Sequence, residues 1–534
     1  MIKYVFITGG VLSSVGKGVT TASVALLFQS MGYSVTIIKV DPYINVDAGT
    51  MNPYAHGEVF VTEDGGETDL DIGHYERFLN KNLGKKNNIT TGQIYYSVIM
   101  RERKGEFLGA TVQIIPHVTN EIKSRIKEVA KEDKVDIVFV EIGGTVGDIE
   151  GLPFLEAARQ MRLEEGFNNT AFIHVALVPS LRTTGEQKTK PVQHSVQELR
   201  RIGIQPDIIV ARCEKPLTSE ARAKIALFSN VPPEAVISNY DVSNIYEVPL
   251  ILYEQGMHLI LAERLKLPVL NVKMDQWINL VERLNKSSKT LEIAMIGKYT
   301  KLRDSYISIV EAIKHSSAHL GVKPIFRWIE STDIEDGKIK IDEEFNKFRG
   351  ALILPGFGKR GSEGKISSLR YLREHNIPTL GICFGFQLMA IEVARNILGL
   401  SGANSSELDS NVQHPIVDLL PSQQGLSLVG GTMRLGSKLI KLVKGTMVYN
   451  AYGVEYVMER HRHRYGVNSK YLESLEAAGF ISSGISVEDS VIEYMELKYN
   501  KFYVGTQAHP EFKSRLLQPS PIYTYFLKHA LNTS

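Results

Sequence analysis

The sequence predicts an α/β protein made of two doubly wound, mostly parallel-sheet domains. Three observations carry that prediction. Apolar runs of strand length recur along the first half of the chain and alternate with amphipathic stretches of helix length. A glycine-rich, P-loop-like turn bearing one lysine joins the first of these runs to the first helical pattern. A short polar stretch, Lys286-Ser-Ser-Lys-Thr290, then precedes a second series of the same kind.

The bulk numbers agree with that plan. A chain of 534 residues exceeds one hydrophobic core, and 43% hydrophobic with 22% charged residues is ordinary globular composition. Lys+Arg 61 against Asp+Glu 59 leaves a net charge of +2, too balanced for nucleic acid or an anionic membrane as main partner. Small molecules are therefore the expected ligands. Two cysteines, Cys213 and Cys383, make no disulfide framework and fit a reducing compartment. The chain opens on a strand pattern rather than a signal sequence and has no run of about 18 apolar residues, so a cytoplasmic location is expected.

In chain order, Tyr4-Val-Phe-Ile7 reads as the first strand, followed by Thr8-Gly-Gly-Val-Leu-Ser-Ser-Val-Gly-Lys-Gly-Val-Thr20. Glycines let backbone N–H groups approach phosphate oxygens, and the start of a helix adds aligned donors and a positive dipole end. Lys17 supplies a point charge. The spacing from Gly10 to Gly16-Lys17 is one residue longer than G-x-x-x-x-G-K-[ST], and Gly18 stands where a magnesium-binding Ser or Thr would be. Any metal must therefore be held mainly by other residues.

Residues 18–31 carry Val19, Ala22, Leu26 and Leu27 at helical spacing, and Ser34–Lys39 reads as the next buried strand, completing a βαβ unit. Further strands are expected at Asp136–Val140, Ala171–Val178 and Asp207–Ala211. Ligands of such sheets bind beyond the carboxyl ends of the strands. Those ends carry Lys39 to Asn45, Glu141 to Glu150, and a loop running to Gly185–Gln193. Between them, residues 58–76 hold seven carboxylates in nineteen residues, whose mutual repulsion a hard cation would relieve. Lys188, Lys190 and Lys224 are candidate point charges for a second polyphosphate.

Residues 275–285 have a helical period, and a domain boundary is expected around the polar stretch that follows. The resulting division is 1–268, a linker over 269–290, and 291–534. Strands are expected at Leu291–Ile296, Gly350–Leu354 and Pro378–Cys383, with a helix over 386–395. Gly381-Ile-Cys-Phe-Gly385 places a thiol between glycines at a strand-to-helix turn, the geometry of a nucleophile elbow. The helix start favours the thiolate, and neighbouring N–H groups can stabilise an oxyanion. Val504–Phe512 brings His509 and Glu511 after a strand, as general base and its orienting carboxylate. Cys, His and Glu together point to acyl transfer through a thioester, with an amide as natural substrate. Cys213, on an apolar strand without a glycine turn, reads as a buried small hydrophobe. Arg460-His-Arg-His-Arg464 is the densest basic run and reads either as a solvated or nucleic-acid-facing patch or as a clamp for a substrate carboxylate.

Taken together, these motifs make the chain resemble the CTP synthase family from the first strand to the last helix. The matching stretches are Thr8–Gly18, Lys39–Asn45, His56–Gly65, Glu141–Glu150, Lys188–Pro191, Arg460–Tyr465 and His509–Phe512. The resemblance implies a P-loop-like amidoligase domain over 1–268 and a class I glutamine amidotransferase domain over 291–534. It implies that ATP phosphorylates the 4-oxygen of UTP and that ammonia from glutamine displaces the phosphate to give CTP. By resemblance, Ser14, Val15, Gly16, Lys17, Gly18, Val19, Tyr240, Asp241 and Val242 contact ATP, and Asp71 and Glu141 hold Mg²⁺, Asp71 also touching ATP. Ser13, Lys188, Thr189, Lys190, Pro191, Val192, Gln193 and Lys224 contact UTP, and Asp148, Ile149 and Glu150 contact the inhibitory product CTP. Gly356, Phe384, Gly385, Phe386, Gln387, Glu407 and Arg464 hold glutamine, which Cys383, His509 and Glu511 hydrolyse. GTP as allosteric activator and a homotetramer are implied by the same resemblance.

Two departures from the family pattern stand out. Pro355-Gly-Phe-Gly358 is one glycine shorter than the usual Pro-Gly-Gly-Phe-Gly, with Gly356 as the oxyanion candidate. Phe384 and Phe386 stand where smaller aliphatic residues are common and are expected to tighten the glutamine pocket. The competing readings are another phosphate-cradle amidoligase fused to an amidotransferase, such as the cobyrinic acid amide synthases, and a catalytically silent filament or scaffold protein. Glu511 argues against the first, and Lys17, Cys383 and His509 together argue against the second.

Overall fold

The apolar run at the start of the chain is the strand Lys3–Gly10 (β1), fully buried after its first residue, and it lies at the centre of a sheet. The computed structural model describes residues 1–52, 56–181, 183–298, 300, 302–425 and 430–532. These divide into two units, Met1–Ala48 with Asp69–Val281, and Gly49–Thr68 with Glu282–Ser534.

The first unit is built on seven strands. After β1 come Val35–Asp41 (β2), Asn88–Thr90 (β3), Ile137–Ile142 (β4), Thr170–Leu177 (β5), Ile208–Cys213 (β6) and Val236–Tyr240 (β7). Their order is β3-β2-β4-β1-β5-β6-β7, and every pairing is parallel. Parallel strands covered on both faces need continuous apolar runs, which the sequence supplies at the five strands it made legible. The other two, β3 and β7, are the short edge strands. Helix Lys17–Ser30 (α1) is buried over most of its length, its apolar and small residues leaving no strongly polar face. Helix Leu70–Leu79 (α2) is capped by Asp69, whose carboxylate accepts the Asp71 N–H at 2.9 Å. Part of the stretch expected as linker is an ordered helix, Asp275–Lys286, and its Trp277 indole donates to the Tyr246 carbonyl at 2.9 Å.

The main sheet of the second unit has nine strands: Thr290–Gly297 (β8), Lys323–Glu330 (β9), Gly350–Ile353 (β10), Thr379–Ile382 (β11), Arg434–Leu442 (β12), Tyr456–His463 (β13), Phe480–Ser486 (β14), Ile492–Leu497 (β15) and Tyr503–Thr506 (β16). The order is β9-β8-β10-β11-β16-β15-β14-β12-β13. The pairings from β9 to β16 are parallel, and those from β16 to β13 are antiparallel. The sheet is therefore mixed, a parallel half extended by hairpin-like strands that need no crossover helices.

The basic run is built into the fold rather than solvated. It lies on β13, where alternate side chains point to opposite faces. Arg460 is fully buried, donating to the Val61 carbonyl at 3.0 Å and pairing with Glu63 at 3.4 Å. Arg462 donates to Glu67 at 2.8 Å and to the Gly49 carbonyl at 3.0 Å. These two arginines thus hold Gly49–Thr68, a segment from the first half of the sequence, within the second unit. A solvated patch is excluded by that burial. The intervening His461 faces the other way and bonds Glu493 at 2.7 Å.

Candidate active sites

In the first unit the expected phosphate residues stand at the carboxyl ends of the strands. Gly16 takes φ 90° at the mouth of α1, and Lys17 opens the helix with its amine on the Gly144 carbonyl at 2.6 Å. A Cβ at Gly18 would sit 2.0 Å from an Asp71 carboxylate oxygen, so glycine there lets Asp71 lie against the cradle. Ser13 and Ser14 are exposed on the loop before α1, and Val15 is buried beneath it.

The parallel register of β2 and β4 sets Lys39 beside Glu141. The Lys39 amine donates to Glu141 at 3.0 Å and to Asp71, and it also lies 3.6 Å from Asp69 and 3.9 Å from Asp41. Burial alone would lower the Lys39 pKa, but the four carboxylates hold it well above lysine's ordinary value. Burial raises Asp69 to about 7 and lifts Glu141, whereas Lys39 overrides burial at Asp71 and lowers it. Four carboxylates face two ammonium groups, Lys39 and Lys17, and the excess negative charge suits a divalent cation. Among the described residues no three His, Cys, Asp or Glu side chains converge as a complete metal cage. Asp71 and Glu141 are the two carboxylates here that could hold such an ion together with phosphate oxygens and water. Lys39 is the residue that sequence reasoning left without a role, although its place at the end of a strand beside Asp41 was a visible signal.

The remaining nucleotide candidates are distributed differently. Asp241 ion-pairs with Arg212 at 2.5 Å, next to the half-buried Tyr240 and Val242. Asp148, Ile149 and Glu150 are exposed after β4, with Asp148 accepting the Thr145 N–H at 3.1 Å. Lys188 is half-buried and paired with Glu186 at 2.6 Å, Lys190 and Pro191 open the helix Lys190–Arg201 (α3), and Lys224 is exposed on the helix Ser219–Ser229. Val192 is fully buried, and the buried Gln193 side-chain amide donates to the Thr189 hydroxyl at 2.9 Å.

In the second unit Cys383 joins β11 to the helix Phe384–Asn396 (α4) with φ 52° and ψ −106°, a strained conformation for a residue with a side chain. That strain presents the sulfur at an uncapped helix start, as the elbow reading expects. Its Sγ lies 3.8 Å from the Arg462 carbonyl and 3.6 Å from the Gln507 side-chain amide nitrogen. His509 Nδ1 is 2.7 Å from Glu511 Oε1, and the Tyr523 hydroxyl donates to the other Glu511 oxygen at 3.2 Å. His509 Nε2 is buried without a hydrogen bond of ordinary geometry among the described residues. Burial opposes a charged imidazole, yet Glu511 and the Cys383 sulfur outweigh it and raise His509 to about 10. Cys213, by contrast, is buried, and desolvation raises its thiol to about 11.

A cavity of about 300 Å³ opens on Cys383, His509 and Glu511, with Gly356, Phe357 and Arg462 in its wall. The short Pro355–Gly358 segment is held from both sides. Lys298 donates to the Phe357 carbonyl, and the Gly358 N–H donates to Glu407 at 2.7 Å, which fixes that peptide plane. Buried Lys365 donates to the Leu354 carbonyl at 2.6 Å, and its pKa falls to about 7 through desolvation. Gln387 donates to the Tyr465 carbonyl at 2.8 Å, and Arg464 reaches Gln423 at 2.7 Å and Thr432 at 2.8 Å. Gly385 has no room for a Cβ, which would lie 2.2 Å from the Ile353 carbonyl oxygen.

The expectation that Phe384 and Phe386 tighten the pocket is corrected by their packing. Both rings lie in the hydrophobic core rather than in the cavity wall. Phe386 fits over Gly505, where a Cβ would come 2.2 Å from the ring, and Phe384 lies between the Lys298 and Lys365 amines, 5.9 and 5.3 Å from its centroid. What these positions still offer the cavity is backbone N–H at the start of α4.

Comparison with known proteins finds two family models in succession along the chain. Residues 3–267 match the family described as CTP synthase N-terminus, and residues 301–529 match glutamine amidotransferase class-I. A CTP synthase of Aeropyrum pernix is 60% identical over 527 residues, covering 98% of this chain and 98% of its own length. One from Saccharolobus solfataricus is 58% identical over 528 residues, with 98% of both chains covered. One from Pyrococcus furiosus is 56% identical over 524 residues, with 98% of this chain and 97% of its own covered. The cobyrinic acid alternative is not favoured by relatives of this kind. With the phosphate cradle in one unit, the thiol elbow in the other, and identity of this order over nearly the whole length, the chain belongs to the CTP synthase family.

Proposed function

We propose that the protein converts UTP to CTP, using ATP to activate the pyrimidine and ammonia released from glutamine to aminate it. The observation that carries the glutamine half is the elbow thiol of Cys383 sharing a cavity with the His509–Glu511 pair. The Cys383 thiolate attacks the side-chain carbonyl of glutamine, and backbone N–H groups at the start of α4 and near Gly356 face the oxyanion. The His509 imidazolium gives its proton to the leaving nitrogen, and ammonia departs. Neutral His509 then takes a proton from water, whose oxygen attacks the thioester to release glutamate and restore the thiol. Glu511 holds the imidazole by Nδ1 throughout, which leaves Nε2 for the reacting groups. Gln387, Glu407 and Arg464 hold glutamine, with Phe384, Gly385 and Phe386 contributing through the backbone.

In the first unit Lys17 and the N–H groups from Ser14 to Val19 hold the ATP phosphates, while Tyr240, Asp241 and Val242 hold the remainder of the nucleotide. Ser13, Lys188–Gln193 and Lys224 bind UTP, whose 4-oxygen attacks the γ-phosphorus and expels ADP. Ammonia then adds at C4 and inorganic phosphate leaves. Asp71 and Glu141 would hold Mg²⁺, which when bound neutralises phosphate charge. Asp148, Ile149 and Glu150 bind the product CTP as inhibitor. GTP activation, a homotetramer and a cytoplasmic location belong to the same reading and rest on the family resemblance. Among the described residues no helix is long and apolar enough to cross a membrane.

The test is to supply the purified protein with UTP, ATP and Mg²⁺ and either glutamine or ammonium. A cytidine chromophore is expected from both nitrogen sources, and no product from either would overturn the proposal.

A further inference from the structure

One polar group beside the nucleophile has no part in the Cys-His-Glu chemistry. The Gln507 side-chain Nε2 lies 3.6 Å from Cys383 Sγ and is buried. Which end of this amide faces the sulfur follows from its neighbours. The Tyr465 carbonyl can only accept, so the Gln387 atom 2.8 Å from it is nitrogen. The same nitrogen lies 3.1 Å from the other end of the Gln507 amide, which must therefore be the oxygen. Gln507 is thus turned with its N–H groups toward Sγ, at the end of a relay that starts on a backbone carbonyl. In the chain it lies just after β16 and two residues before His509, on the bend that leads from the strand to the imidazole.

We propose that Gln507 is a catalytic residue of glutamine hydrolysis, donating a side-chain N–H to Cys383 Sγ and stabilising the thiolate that attacks the amide. This rests on the reading of Cys383 as nucleophile. A buried thiolate requires donors, because desolvation favours the neutral thiol. His509 is charged only before it protonates the leaving nitrogen and after it takes a proton from water, and it is neutral while the thioester stands. The Gln507 amide faces the sulfur with an N–H through every one of these states. When Sγ is protonated, its own acceptor is the Arg462 carbonyl at 3.8 Å, so thiol and thiolate each have a partner. The charged groups around the sulfur are His509 and Glu511 after β16, Arg462 on β13 and Glu58 in the cavity wall, with Lys365 acting on it electrostatically.

The experiment is alkylation of Cys383 by iodoacetamide across pH in the full-length protein, followed by peptide mass spectrometry, in Gln507→Leu and Gln507→Glu. Both substitutions are close to the native side chain in size, but one removes the donor and the other sets a carboxylate against the sulfur. The alkylation midpoint is expected to rise by roughly one to two pH units in Gln507→Leu and further in Gln507→Glu, with glutaminase kcat falling roughly tenfold to a hundredfold in the first. A midpoint unchanged in Gln507→Glu would overturn the proposal. If one variant does not fold, the other decides the question. Failure of the underlying reading looks different, because glutaminase activity would then survive Cys383→Ala.

Discussion

His509 Nδ1 lies 2.7 Å from Glu511 Oε1 in a buried site where the imidazole is raised to about 10. A histidine raised in the folded state adds stability that is fully present below its unfolded pKa and is lost as pH rises through the folded value. The contribution of the raised imidazole is therefore full below about pH 6.5 and fades toward about pH 10. Denaturation of Glu511→Gln against the native protein is expected to show a stability gap that narrows across that interval. A gap that widens with pH would contradict the ion pair. Glutaminase activity in the same variant should fall by about 10²-fold or more, because the imidazole loses its orienting partner.

Cys383→Ala is expected to abolish synthesis from glutamine and to spare synthesis from ammonium, since the thiol serves only to release nitrogen. Initial rates with the two nitrogen sources check this. Equal losses would mean that the two chemistries are not separable.

Lys17→Ala, Asp71→Asn and Glu141→Gln should each depress synthesis from both sources, because phosphate activation precedes the addition of nitrogen. For the two carboxylates, a higher Mg²⁺ requirement is the specific readout expected, measured by titrating the metal at fixed ATP. An unchanged requirement in both variants would remove them from the metal site.

Gly505→Ala forces a methyl group to within 2.2 Å of the present Phe386 ring and is expected to cost about 1–3 kcal/mol. Phe386→Leu opens that space, so the double substitution should recover much of the loss. Denaturation of the single and double variants gives the coupling directly.

Arg462→Ala leaves Glu67, which is buried, without its cation and is expected to destabilise the second unit by about 3–5 kcal/mol. Hydrogen exchange over residues 56–68 should rise well above that in the native protein. Unchanged protection would mean that the arginine does not hold this segment.

The elements that the sequence made legible are those whose physics is local. Buried parallel strands such as Ile137–Ile142 need unbroken apolar runs, and a thiol between glycines needs only the turn it occupies. What escaped depends on distant partners. Lys323–Glu330 is a half-exposed edge strand whose apolar pairs Ile325-Phe326 and Trp328-Ile329 are split by Arg327, and the antiparallel strands beyond Tyr503–Thr506 carry mixed faces. The basic run looked like surface because Glu63 and Glu67, which neutralise Arg460 and Arg462, lie about four hundred residues earlier. Lys39 and Gln507 were overlooked for a related reason. Their significance lies in which atoms surround them, not in the stretches that contain them.

The residence of Gly49–Thr68 in the second unit has a practical corollary for anyone wishing to dissect the molecule. A truncated fragment beginning at Glu282 would keep the thiol and the imidazole but expose two arginines stripped of their counterions, along with one bare face of Phe512. No single scissor cut therefore liberates an intact glutaminase. Grafting the twenty-residue strip back in trans, as a synthetic peptide, is the more faithful way to rebuild it.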